Sequence, residues 1–175
     1  MSALTRPLLA LAFAALMALG AQIDVPMHPV PMTMQSFAVL LAGAALGPTW
    51  GVVAVVIYLA AAASGLPVLS EGAHGFAPFT GATAGYIFAF PIAAALAGLA
   101  ARRGLLDGWL RGAATLLALH LLLLGMGGGW LATKIGAADA WSGGVQPFLI
   151  GAAVKSLLVL AALEGWRRLT PQSRA

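Results

Sequence analysis

The chain has 175 residues, 61% of them hydrophobic and only 8% charged, with a formal net charge of +4 and no cysteine. Soluble domains carry about 25% charged residues, so this composition describes a membrane protein with little outside the bilayer and one compact domain over 1–175. It excludes disulfides, thiol catalysis and Cys-ligated metals; no P-loop is present to hydrolyse a nucleotide, and no basic patch with interleaved aromatics points to nucleic acid.

Six hydrophobic segments, at about 7–23, 33–46, 50–63, 80–101, 109–130 and 147–166, predict an all-α bundle of six transmembrane helices. The first follows Arg6 and ends near Gly20-Ala21, which also reads like a signal peptide with a small-residue cleavage site. Its apolar run continues through Ile23, and the topology needs it, so it is taken as a helix. Ala10, Ala14 and Ala18 recur at four-residue intervals, a flat ridge suited to close helix contact. The loop after it, Asp24 to Pro31, is stiffened by prolines.

The second and third segments are short and are joined by Gly47-Pro48-Thr49, a helix stop followed by a restart. Short helices bounded by Gly and Pro tend to surround a cavity protected within the protein. Met27, Met32 and Met34 stand near the outer end of the second segment, where soft sulfur would line such a cavity or simply fill space. Residues 64–79 form the longest stretch without regular structure, a length typical of a lid or binding loop.

The fifth segment carries a lone His120 among leucines, read first as an interhelical hydrogen-bonding group and second as a ligand contact. Its Gly125-Met-Gly-Gly-Gly129 loosens the outer end, for close packing or for ligand approach. A third loop runs from Thr133 to Gln146. In the last segment Lys155 lies about 12 Å into the helix at ~1.5 Å per residue, too deep for easy snorkelling. A cation there costs at least roughly 2.5–3.5 kcal/mol on insertion scales. Such a residue faces a cavity, a partner charge or a substrate, unless backbone carbonyls satisfy it.

Arg6, Arg102, Arg103, Arg111, Arg167, Arg168 and Arg174 fall on one side of this topology. Lys134, Asp24, Glu71 and Asp139 fall on the other. The positive-inside rule places both termini in the cytoplasm and the protein in the cytoplasmic (inner) membrane as a multi-pass protein. All three loops then open on the outer side.

Several motifs resemble one family. Pro31 to Gly43 with Leu46-Gly-Pro48 and Gly51, then Gly65-Leu-Pro-Val68, Gly72 to Gly75 and Gly81-Ala-Thr-Ala-Gly-Tyr86 with Phe90-Pro91 are similar to the BioY-type biotin uptake proteins. Pro147-Phe148, Gly151 and Lys155 resemble that family's last-helix motif, and the likeness runs in order from about residue 8 to residue 166. It implies the substrate-binding S component of an energy-coupling factor vitamin transporter, a family whose members usually act with a transmembrane coupling subunit and ATPases and in some cases are found without them. No enzymatic activity, cofactor or metal is implied. The resemblance gives the Ala10, Ala14 and Ala18 ridge a docking role on the coupling subunit. It directs attention to Lys155, Gln35, Gly72, His74, Gly75, Thr83, Tyr86, Gly151 and Gln146 as substrate-binding residues.

One departure bears on the substrate. The family's Gly-Asp-Leu-Leu-Lys stands here as Gly151-Ala-Ala-Val-Lys155, so the acid three residues before the lysine is Ala152. In the family that acid serves the ureido head of biotin and the lysine its carboxylate tail. A ureido N–H without an acceptor costs roughly 1–3 kcal/mol unless Glu71, Asp24, His28, His74, Gln35 or Gln146 substitutes. Otherwise the ligand is a carboxylate with an apolar head, such as lipoate. Two other classes are weaker: an intramembrane protease using Ser64 or Ser142 with His120 lacks the glycine-flanked serine, and no recurring ring of polar residues marks a channel.

Overall fold

The computed structural model describes residues 4–169; Arg174, counted above among the cytoplasmic charges, lies outside them. The helices are α1 (Thr5–Ala21), α2 (Gln35–Ala63), α3 (Ala84–Arg102), α4 (Trp109–Ile135), the short α5 (Ala137–Ala140) and α6 (Phe148–Leu169). Between α1 and α2, β1 (Asp24–Val25) and β2 (Met32–Thr33) pair antiparallel, with Asp24 opposite Thr33, and close a proline-rich loop. Four helical stretches are long and apolar enough to cross a membrane: α2, α3, α4 and the run Ala137–Leu169; α1 has 17 residues and is shorter.

α2 is interrupted at Gly47, whose φ of 83° and ψ of 173° lie outside the helical region. A side chain resists that conformation, and Pro48 then begins the second arm without a hydrogen bond donor to lose. The two arms fold back on each other: a Cβ on Gly51 would lie 2.6 Å from the Cα of Gly43. α3 packs into this hairpin with equal closeness. A Cβ on Gly43 would sit 2.1 Å from the Ala94 carbonyl oxygen, and one on Gly98 would sit 2.3 Å from the Pro48 nitrogen. Backbone-to-backbone contact of this kind is how helices associate where lipid removes the hydrophobic drive between them.

α6 shows the amphipathic logic of the bundle. Ala152, Lys155, Ser156, Val159, Leu160 and Leu163 are buried, while Ile150, Val154, Leu157 and Leu158 are exposed on the opposite face. In a membrane those exposed apolar side chains meet lipid, so their exposure costs nothing. At the far end from the loops, Arg167 pairs with Asp107 at 3.1 Å and with Glu164 at 3.8 Å, and Arg111 donates to the Gly104 carbonyl. Arg102 reaches the Gly47 turn at the same end.

Three expectations need correction. Ala10 and Ala14 are buried and Ala18 is half-buried against the core, with α1 lying mainly along α2. Their small size lets α1 approach its own bundle, so the ridge does not face outward; Leu8, Leu11, Ala12, Ala15 and Leu19 do. α4 extends to Ile135 rather than stopping near 130, because its glycines are held by packing: a Cβ on Gly127 would strike the Tyr86 ring and one on Gly128 would strike Val145. The loop 64–79, expected to lack regular structure, contains 3₁₀ turns at Ser70–Gly72 and Ala77–Phe79, and the third loop holds α5 with a π turn at Trp141–Val145.

These contacts set up a comparison of two glycines. Gly43→Ala is expected to push α2 from α3 and lower stability by about 1–3 kcal/mol, as overpacking does. Gly125→Ala, where an added Cβ meets nothing within 4 Å, is expected to leave it unchanged or slightly raised. Thermal unfolding of both variants in detergent checks the contrast; equal melting temperatures would refute the close packing.

Candidate functional site

The loop end of the bundle encloses a cavity of about 290 Å³, near the lower bound of ~300–1,000 Å³ for small-molecule pockets. Its roof is Pro29, Val30 and Pro31 from the first loop and Leu69, Ser70, Glu71, Ala73 and Pro78 from the second. The roof is tied down. Tyr58 Oη donates to the Val68 carbonyl at 3.2 Å, and Gln22 Nε2 donates to the Leu69 carbonyl at 3.1 Å. Glu71 takes φ 57°, in the left-handed region that a non-glycine residue rarely adopts, which turns the roof over the cavity.

The walls mix apolar surface with few polar groups. Tyr86, Phe90 and Phe148 supply aromatic rings, Tyr86 and Phe148 lying stacked with centroids 6.4 Å apart. The Tyr86 hydroxyl is spoken for: it donates to the Gly144 carbonyl at 2.6 Å and so binds the segment before α6 to α3. Thr83 donates to the Pro78 carbonyl at 3.3 Å. Gln35 is buried at the start of α2, and its backbone N–H donates to Thr33 Oγ1 at 3.3 Å.

Lys155 is 8% exposed, and its Nζ donates to the Thr33 carbonyl at 3.0 Å. An ammonium has three N–H donors, so this bond leaves two for the cavity. Among the described residues no carboxylate stands within ion-pair distance of Lys155, and Glu71 lies at the exposed rim. Among the described residues, two buried side-chain polar atoms lack a hydrogen-bond partner, Ser70 Oγ and His120 Nε2, and both residues line this one cavity. Buried polar atoms are nearly always satisfied, so each of these two sits without the partner that burial normally requires.

Of the residues singled out from sequence, Lys155, Gln35, Thr83 and Tyr86 come together in this wall. Gly72, His74, Gly75, Gln146 and Gly151 are absent from it. His74 is exposed, donating through Nδ1 to the Gly72 carbonyl at 2.9 Å, and Gln146 is exposed where the chain enters α6. Gly151 serves packing, since a Cβ there would lie 2.7 Å from Met32 Sδ. Met27, Met32 and Met34 do not line the cavity; Met27 and Met32 pack in the cluster of Val30 and Phe148, and Pro29, Pro31 and Pro78 stand in the roof. Sequence reasoning missed Ser70, Phe90 and Phe148 as lining residues; Phe90 and Phe148 stand in the family motifs, while Ser70 carries no signal apart from the fold. His120 bonds across helices, to Ser156 on α6, as first read, and it also lines the cavity.

The serine-protease geometry does not form. Ser64 donates to the Ala61 carbonyl at 2.8 Å and Ser142 to the Asp139 carbonyl at 3.4 Å, each within its own turn. The serine that meets His120 is Ser156, whose proton goes to the Ala152 carbonyl at 2.7 Å. Nothing activates it as a nucleophile. No cluster of His, Asp or Glu among the described residues could hold a metal ion.

A roofed, largely apolar cavity at one end of a helical membrane bundle is the architecture of a small-molecule binding component. The fold matches the crystal structure of an S component for biotin from an ECF-type ABC transporter, with a TM-score of 0.84 and 24% identity over 99% of this chain and 96% of that one. The sequence profile of the BioY family matches residues 2–172. A probable biotin transporter BioY of Pyrococcus horikoshii is 40% identical over 152 residues, 87% of this chain and 90% of its own. The biotin transporter BioY of Rhodobacter capsulatus is 45% identical over 93 residues, 52% of this chain and 49% of its own. The chain belongs to the BioY family, whose members are transporter components rather than enzymes, and it is a multi-pass membrane protein.

The Tyr86 tether gives a structural test. Tyr86→Phe removes the donor to the Gly144 carbonyl and is expected to cost about 1–3 kcal/mol in stability. Hydrogen exchange is expected to quicken over residues 141–147, and unchanged protection there would show that the bond does not hold the segment.

Proposed function

We propose that the protein is the substrate-binding membrane component of a biotin uptake transporter, with biotin bound in the roofed cavity and its carboxylate on Lys155. The observation that carries this reading is Lys155 itself: a buried ammonium with one backbone acceptor, no acidic partner among the described residues and two donors left for the cavity. A charge buried in this way is stabilised by a ligand carboxylate arriving with the opposite sign. Gln35, Thr83 and Tyr86 bound the ligand beside it, and Gly72 and Gly75 act by shaping the lid.

The two arms of α2 count as separate passes, giving six spans with both termini in the cytoplasm and the cavity facing outward in the inner membrane. The arginines gathered at the opposite end support that orientation. Concentrative uptake takes its energy from outside the chain, through a transmembrane coupling subunit and ATPases. No docking role is assigned to Ala10, Ala14 and Ala18, which pack inward. The lipoate alternative has no support among the relatives, which carry biotin in their names.

Biotin binding by the purified protein, followed by calorimetry, tests the reading. Lys155→Met is expected to weaken binding by about two to three orders of magnitude, from ~3–5 kcal/mol lost when one partner of a buried pair is removed. Biotin amide is expected to bind wild-type protein far more weakly than biotin. If the amide binds as tightly as the acid, Lys155 does not hold a carboxylate.

A further inference from the structure

His120 sits at the floor of the cavity, and its hydrogen bonds determine what it offers a ligand. Its Nδ1 lies 3.2 Å from the Leu116 carbonyl oxygen and 2.9 Å from Ser156 Oγ. The carbonyl can only accept. Ser156 Oγ has one proton, and it donates that proton to the Ala152 carbonyl at 2.7 Å. A single assignment satisfies all three contacts: Nδ1 carries the hydrogen and donates it, shared between Leu116 and Ser156. The neutral ring then has a bare lone pair on Nε2, the atom that is buried without a partner. Lys155 is already an unpaired cation in the same cavity, so the neutral ring avoids a second one.

Depth separates the two groups. The Lys155 side chain points back along α6, with its Cε 3.8 Å from where a Cβ on Gly151 would be and its Nζ on Thr33 at the outer end of α2. His120 meets α6 at Ser156, five residues deeper than Gly151, or about 7.5 Å along the helix. The cavity thus holds a cation near its roof and a hydrogen-bond acceptor deeper along α6.

We infer that His120 Nε2 is the acceptor for a ureido N–H of the ligand, taking the part of the carboxylate that Ala152 lacks. The assignment rests on the biotin reading above and adds a specificity-determining residue to it. Ser156 acts through His120 as a positioning residue, fixing which nitrogen is bare. The backbone carbonyl of Ala152 thereby keeps a place in the relay although its side chain has lost one. A ligand with the same tail and an apolar head gains nothing from Nε2, so the floor favours biotin over lipoate.

The test measures binding of biotin, lipoate, N1′-methylbiotin and N3′-methylbiotin to wild-type protein and to His120→Phe. In wild type, one of the two methylated compounds is expected to bind about tenfold to a hundredfold more weakly than biotin. In His120→Phe that difference is expected to vanish, biotin to weaken by a similar factor, and lipoate to be unaffected. A methylation penalty of equal size in both proteins overturns the assignment. The second measurement needs no variant: in ¹⁵N-histidine spectra of wild-type protein, the bare Nε2 of His120 is expected to shift with biotin and not with lipoate. An Nε2 resonance unmoved by saturating biotin overturns the assignment even where the variant does not fold. Wild-type protein that binds no biotin overturns the ligand reading, and the role of His120 with it.

Discussion

An ammonium held by one backbone carbonyl in the middle of a helical bundle is the constraint on which the site depends. The Lys155–Thr33 bond joins α6 to the chain entering α2, and it reaches that carbonyl because β1 and β2 hold Thr33 over the cavity. Desolvating a cation costs several kcal/mol, and one hydrogen bond offsets only part of that. The remaining cost is local to the cavity. A cavity with an uncompensated positive charge near its entrance discriminates by charge before shape matters, and its empty state is the less stable one.

The rest of the bundle is arranged to keep that cavity dry and rigid. Close backbone contact at Gly43, Gly51 and Gly98 locks the α2 hairpin and α3 into one block, and Gly127 lets the Tyr86 ring lie against α4. Tyr86 then carries the segment before α6 through its bond to Gly144. Small residues in a membrane bundle act by removing the space between helices, so each wall of the cavity is referred to the same rigid unit. The roof is tied to the block by the side chains of Tyr58 and Gln22 and by the bond from the Gly75 N–H to the Ala62 carbonyl at 2.8 Å.

Much of this was legible in sequence where the chemistry is local. Gly47-Pro48 reads as a stop and restart, and the chain reverses there. Lys155 reads as misplaced in an apolar helix, and it borders the cavity. Alternation of buried and exposed residues along α6 follows the helical period. What was hidden depended on which face a helix presents. The Ala10, Ala14 and Ala18 ridge has the same spacing whether it packs inward or outward, and only its place beside α2 decides. Gly72, Gly75 and Gly151 look like ligand contacts by motif, yet none lines the cavity: Gly72 and Gly75 take positive φ in the loop above it, and Gly151 leaves room for Met32. Ser70, Phe90 and Phe148 are ordinary residues until the fold brings them to one space.

The loss of an acid at position 152 has a consequence beyond the head group. With a carboxylate three residues from Lys155, the two side chains could offset each other's charge in the empty cavity. With Ala152 the ammonium stands alone, and the polar group across from it is the neutral ring of His120. An exchange of a charged acceptor for a neutral one weakens the hydrogen bond to the head, since bonds to ionised groups are roughly twice as strong. It also leaves Lys155 with no competitor for the ligand's carboxylate. On the reading proposed here, the binding energy moves from the floor of the cavity toward its roof, so the charged tail does more to hold the ligand and the head does more to select it.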